Sequence, residues 1–265
     1  MLQINNVHKT FNPGTINEKK ALNGIDLELN EGDFVTVIGG NGAGKSTMLN
    51  MIAGVYPVDC GSIVIDGIDV TKLPEHKRAK YIGRVFQDPM NGTAANMQII
   101  ENLALASRRG AHRGLGPGVK HKEKDHYQEL LKSLDLGLED RLTSKVGLLS
   151  GGQRQAITLL MATMCKPKLL LLDEHTAALD PKTAKKVLDL TEKIVAENNL
   201  TTIMITHNMK DAIAIGNRLI MMNDGKIIYD VEGDEKKSLT TADLLAKFKL
   251  TSGEELDDDK ILLSE

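Results

Sequence analysis

The sequence predicts an α/β fold, a mixed β-sheet core interrupted by a helical subdomain, and three observations predict it. Residues 1–87 alternate short β-rich runs with turns, residues 88 to about 165 lose strand character and take helical spacing, and apolar strands return after 165. The early strand runs are Leu2–Val7, Gly24–Leu29, Phe34–Ile38, Gly61–Ile65 and Tyr81–Phe86, with Glu31-Gly32-Asp33 and Asp66-Gly67 as turn signals. Helical spacing marks Met97–Ala106, Glu123–Leu136 and Gln153–Cys165. Leu169–Leu172 and Thr201–Thr206 are the late strands, separated by a helix from about Pro181 to Asn198. That helix opens with Asp180 before Pro181, the order of an N-cap followed by proline.

Composition agrees with one α/β domain. A chain of 265 residues, 41% hydrophobic, 26% charged and 3% aromatic, can bury a full core and leave room for a small subdomain. The net charge of −3 gives no electrostatic case for binding nucleic acid. No stretch approaches the roughly 20 apolar residues that spanning a bilayer requires. The opening MLQINNVHKTF carries no apolar signal core, so membrane-spanning segments are expected from a partner. Cys60 and Cys165 lack metal-ligand spacing and are expected to be reduced and structural.

Gly39–Ser46 read GGNGAGKS and fit G-x-x-x-x-G-K-[ST], a phosphate-binding loop. Its glycines permit backbone conformations that turn successive N–H groups onto phosphate oxygens, so Gly39, Asn41, Gly42, Ala43 and Gly44 are candidate nucleotide contacts. Lys45 would add a cation at the β/γ-phosphates, and the Ser46 hydroxyl would ligate Mg²⁺. A strand-like run, Asp33–Ile38, precedes the loop, and Thr47–Gly54 reads as a helix, which seats the phosphates of ATP at a helix N-terminus and brings Thr47 into the site. Leu169–Asp173 is a short apolar run suited to a strand buried on both faces, and it ends in an acid pair. Asp173 would hold the Mg²⁺ shell through water, and Glu174 would polarise the attacking water.

With LSGGQ at Leu149–Gln153 added to these motifs, the chain resembles the ATP-binding subunit of an ABC transporter, from about residue 2 to residue 235. The resemblance implies a P-loop NTPase core whose helical subdomain, about 88–165, carries the signature, followed by a short helix and acidic tail over 236–265. It places Phe11 where an aromatic stacks on adenine, and Gln87 at a glutamine loop touching Mg²⁺ and the attacking water. Asp180 falls at a loop crossing a dimer interface, and His207 at a switch histidine that contacts the γ-phosphate. The loop after Glu174 commonly reads P-T-S-A-L-D in the family, whereas here it reads H-T-A-A-L-D. That variant resembles a subgroup of bacterial importer ATPases, some of them for aromatic amino acids, that work with a lipid-anchored binding protein and a separate permease.

Ser150, Gly151 and Gly152 precede a helix starting near Gln153 and make a second anion site at a helix N-terminus. Lying in another subdomain, that site is expected to serve the ATP of a second chain, in a head-to-tail homodimer or pseudo-dimer. Each composite site would combine Lys45 of one chain with Ser150 of the other, closing on ATP and opening after hydrolysis. The expected setting is the cytoplasmic face of the cell membrane, with integral-membrane permease subunits and an extracytoplasmic substrate-binding protein as partners. Asp88–Asn102 joins the γ-phosphate sensor to the helical subdomain and is expected to help form a groove for a permease helix. The basic, glycine-rich residues 107–124 read as a solvated insertion or a contact for anionic head groups. An exporter or lipoprotein-release engine shares the same ATP motifs, and a cluster-assembly ATPase is the alternative outside transport.

Overall fold

A computed structural model describes residues 1–111 and 118–252. Its strands are β1 (Leu2–Phe11), β2 (Lys19–Leu29), β3 (Phe34–Ile38), β4 (Cys60–Ile65), β5 (Ile68–Asp69), β6 (Ile82–Val85), β7 (Leu169–Asp173), β8 (Thr201–Ile205), β9 (Arg218–Asn223) and β10 (Lys226–Glu232). Its helices are α1 (Lys45–Ala53), α2 (Glu75–Arg78), α3 (Ile99–Ser107), α4 (His121–Lys132), α5 (Gly151–Thr163), α6 (Pro181–Asn198), α7 (Met209–Ala214), α8 (Gly233–Ser238) and α9 (Thr241–Ser252).

The strands divide between two sheets rather than one. β2-β1-β4-β5 is antiparallel, and β10-β9-β3-β8-β7-β6 is parallel except for its β9–β10 hairpin. The burial patterns explain the division. β3 and β8 are buried at every residue, as strands covered on both faces must be, whereas the first half of β1 alternates buried and exposed. The main core lies between the sheets around α1, joining Leu2, Ile25 and Ile63 to Met48, Ile52 and Leu171. On the opposite face of the parallel sheet, Val85, Leu170 and Leu172 meet Leu159 of α5 and Leu188 of α6.

The elements between β6 and β7 are all helical and hold a core of their own, with Ile99, Leu103, Tyr127, Leu131 and Ile157 at its centre. A fourth cluster docks α9 through Leu244 and Phe248 onto Ile38, Met209 and Met221. The acidic tail from Gly253 lies outside the described residues, as does Arg113 of the basic insertion.

Part of that insertion is structural, contrary to a wholly solvated reading. Arg109 donates to the carbonyls of Ile82, Met161 and Ala162, and Arg108 pairs with Glu123 at 3.0 Å. Two other cations, both buried, also bind backbone carbonyls. Arg78 donates to Met51, Ile52, Leu73 and Thr71, and Lys236 to Ile213, Ile215 and Gly216. Cys60 and Cys165 are both free thiols, and both are exposed.

Candidate functional site

Strand ends converge on the loop between β3 and α1. Gly39 has φ 150° and Gly44 φ 101°, and a side chain at either position is excluded by close backbone. A Cβ on Gly39 would lie 2.2 Å from the Met222 carbonyl oxygen, and one on Gly44 2.6 Å from that of Ala21. The loop is thereby pinned between β2 and β9. Asn41 and Gly42 are exposed, Ala43 is buried, and Thr47 is half-buried in the first turn of α1. Lys45 turns back to donate to the carbonyls of Gly39 at 2.7 Å and Gly40 at 3.0 Å. Burial pulls its ammonium below the ordinary lysine value, and the carboxylates of Glu174 and Asp173 oppose that pull.

Asp173 ends β7 as the sequence predicts, with Oδ1 3.4 Å from the Ser46 hydroxyl. Burial raises its pKa, Arg84 at 3.6 Å opposes the rise and Glu174 adds to it. Glu174 follows with φ 48°, a left-handed conformation that few non-glycine residues adopt. Its N–H bonds the Ile205 carbonyl at 3.1 Å, which ties it to β8. The parallel register pairs Asp173 with Ile205, so Glu174 and His207 emerge side by side. His207 Nε2 donates to Glu174 Oε1 at 2.6 Å, and this bond lowers the Glu174 pKa against the opposing effect of burial. The sequence sent both side chains toward the phosphate, whereas the structure also joins them to each other. His175, in the variant loop, is buried, bonds Thr191 Oγ1 at 3.1 Å and is pushed by burial down to about 4.

Phe11 ends β1 opposite Lys19 of β2, half-buried, with Tyr56 edge-on at 5.2 Å and Lys9 5.8 Å from the ring centre. β2 begins at Lys19, so Lys19 and Lys20 pair with Phe11 and Thr10 of β1. Gln87 is exposed just beyond β6.

The signature residues form a second centre. Ser150 is the N-cap of α5, accepting from the Gln153 N–H while the Gln153 side chain accepts from the Ser150 N–H. Gln153 also donates to the Leu136 carbonyl, so its amide is committed to holding the loop. Gly151 and Gly152 abut Leu179 and Thr183 at the start of α6. Asp180 is the exposed N-cap of that helix and accepts from the Thr183 N–H, so its carboxylate has a capping duty besides any interface role. None of the hydrogen bonds of Ser150 or Gln153 joins this centre to the phosphate loop.

Two residues at this site escaped the sequence reading. Arg84 carried a signal, a lone cation inside the apolar run Tyr81–Phe86. Gln155 carried none, because its burial depends on what packs over α5.

A family model described as ABC transporter matches residues 22–177. The chain is 45% identical to the tyrosine transport ATP-binding protein of Clostridioides difficile, over 94% of this chain and 99% of that one. It is 34% identical to the spermidine/putrescine import ATP-binding protein PotA of Haemophilus influenzae, over 87% of this chain, and it spans 57% of that protein's length. Among solved structures, a dimeric ATP-binding cassette in a post-hydrolysis state bound to ADP and Pi superposes with a TM-score of 0.75. The two share 32% identity over 88% of this chain and 98% of the other.

Proposed function

The chain belongs to the ABC transporter family of ATP-binding subunits, ATPases by activity, and from that premise we propose that it drives an importer for an aromatic amino acid of the tyrosine class. The observation that carries the chemistry is the side-by-side emergence of Glu174 and His207 next to the phosphate loop, in hydrogen bond at 2.6 Å. The substrate class is supported by kinship along the full length of the tyrosine transport ATP-binding protein.

In this reading Lys45 exchanges the Gly39 and Gly40 carbonyls for phosphate oxygens, and the loop N–H groups hold the same phosphates. Ser46 and Asp173 present neighbouring oxygen donors, a set that suits a hard cation, so these residues and Gln87 would hold Mg²⁺. The cation supplies neutralisation of phosphate charge. Glu174 takes a proton from the attacking water, whose oxygen bonds to the γ-phosphorus as the bond to the bridging oxygen breaks and ADP leaves with the electron pair. His207 orients the Glu174 carboxylate and reports the γ-phosphate. Phe11, half-buried at the end of β1, stacks on adenine.

Two chains pair head to tail, so that Ser150, Gly151, Gly152 and Gln153 of one, with its Asp180 loop, close on the ATP of the other. A groove of about 480 Å³ between the sheet and the helical elements, lined by Phe86, Asn91, Ala94, Leu105 and Met161, receives a cytoplasmic helix of the permease. Exposed Leu105 supplies apolar area there. The protein thus works from the membrane surface, together with a substrate-binding protein. No helix among the described residues is long and apolar enough to cross the bilayer itself.

The test is reconstitution of the chain with its permease and binding protein in proteoliposomes. Tyrosine should stimulate ATP hydrolysis and enter the vesicles. Glu174→Gln should cut both by about a hundredfold or more while ATP binding persists. Tyrosine-independent hydrolysis with no uptake would reject the substrate class, and normal turnover in Glu174→Gln would reject the chemistry.

A further inference from the structure

Gln87 is exposed, so its direction is set by the backbone that carries it rather than by packing of its own side chain. On its far side, Asp88 Oδ1 accepts from the Met90 N–H and caps the turn Pro89–Gly92. On its near side, Phe86 is gripped twice. Gln155 of α5, fully buried, donates from Nε2 to the Phe86 carbonyl at 3.2 Å. The Arg84 guanidinium lies 4.5 Å over the Phe86 ring.

The two gripping side chains reach opposite parts of the molecule. Arg84 Nη2 donates to Asn50 Oδ1 of α1 at 2.7 Å and stands 3.6 Å from Asp173. Gln155 belongs to the helix that Ser150 caps. Phe86 is therefore fixed with respect to the phosphate-loop helix, the end of β7 and the signature helix at once. Each gripping side chain also keeps one buried polar atom with no protein partner, the Arg84 Nε–H donor and the Gln155 Oε1 acceptor. Groups of this kind are rare in folded chains. Here one is a donor and the other an acceptor, so each side chain has one more bond to give as α5 shifts against the sheet.

We propose that Arg84 and Gln155 are positioning residues that act as one unit through Phe86 to set Gln87 against the reacting phosphate, making its placement depend on where the signature helix lies. The proposal rests on the reading of Gln87 given above. Neither side chain touches nucleotide in this scheme, so the effect of losing one belongs in kcat.

The experiment is a double-mutant cycle on the full chain with Arg84→Met and Gln155→Met, Gln87→Ala serving as reference. Each single variant should lower kcat about tenfold, leave KM for ATP within about twofold, and the double variant should stay near tenfold rather than a hundredfold. Arg84→Lys should remain impaired, because an ammonium keeps the charge near Asp173 without the planar stack on Phe86. If Gln155→Met does not fold, Gln155→Asn withdraws the same donor. A readout free of turnover comes from Glu174→Gln chains. The Mg²⁺ concentration that half-saturates their ATP-driven dimerisation, read by size-exclusion chromatography, should rise several-fold with either change.

Additive losses, a rise in KM at constant kcat, or full rescue by Arg84→Lys would each overturn the shared grip. Impaired Gln87→Ala beside silent Arg84 and Gln155 variants would overturn it alone. A silent Gln87→Ala would remove the role of Gln87 and the proposal with it.

Discussion

Lys236 shows how far a single side chain can depart from its ordinary chemistry in this fold. It is 1% exposed, and its ammonium donates to three carbonyls at the end of α7. Burial lowers its pKa to about 8, with Glu192 opposing the shift. The folded chain thus gives up this proton at a lower pH than the unfolded chain, near 10.4 for an unperturbed lysine. Between the two values the unfolded state binds more protons, so stability should rise with pH across that window. Urea unfolding from pH 7 to pH 10 should show the rise in the native chain and not in Lys236→Met. At pH 7 that variant should lose about 2 kcal/mol, because the carbonyls are left without donors. Asp173, Glu174 and His207 were legible in the sequence as polar residues ending apolar runs. The bond between Glu174 and His207 was not, because it depends on β7 and β8 being neighbours in register.

At the scale of elements, the starts of α5 and α6 are in tight contact. A Cβ on Gly152 would come 2.2 Å from Thr183 Cγ2, whereas one on Gly151 would meet the flexible end of Leu179 at 3.2 Å. Gly152→Ala should therefore cost about 1–3 kcal/mol through overpacking against a β-branched neighbour, and Gly151→Ala should cost much less. Thermal unfolding of the two variants gives the comparison, and equal losses would show that the helix starts are free to separate. The helix Pro181–Asn198 was legible in its bounds, since Asp180 and Pro181 mark its start. β1 and β2 were read too short, at Val7 and Gly24, because His8–Thr10 and Lys19–Lys20 are polar. Such residues join a strand by backbone pairing along an exposed sheet, which hydropathy does not register.

The whole molecule keeps its two proposed anion-binding centres on different elements, one between β3 and α1 and one at the start of α5. A mixture of Ser150→Arg and Lys45→Ala chains tests whether they meet across a dimer. Each variant alone should be inactive, yet a mixed dimer combines native Lys45 from one chain with native Ser150 from the other and recovers one of its two sites. Hydrolysis should therefore appear on mixing; a mixture as inactive as its components would reject the head-to-tail arrangement. The division into two sheets was not legible, because the sequence gives strand character but not which strands pair across a long interval, such as β3 with β8 and β9.

Three cations bound to carbonyls, Arg78 and Lys236 buried and Arg109 half-buried, share a location that gives the molecule an electrical polarity. Arg78 sits on the last turn of α1, Arg109 on the last turn of α5, and Lys236 at the end of α7. The opposite ends of these helices are the phosphate loop, the Ser150 cap and the turn after His207. A helix carries roughly half a positive charge at its start and half a negative charge at its finish. Each cation compensates the negative pole at the end of its helix and leaves the positive pole free on the side of the proposed nucleotide site. A chain with a net charge of −3 can in this way present positive potential to a polyanion without a basic surface.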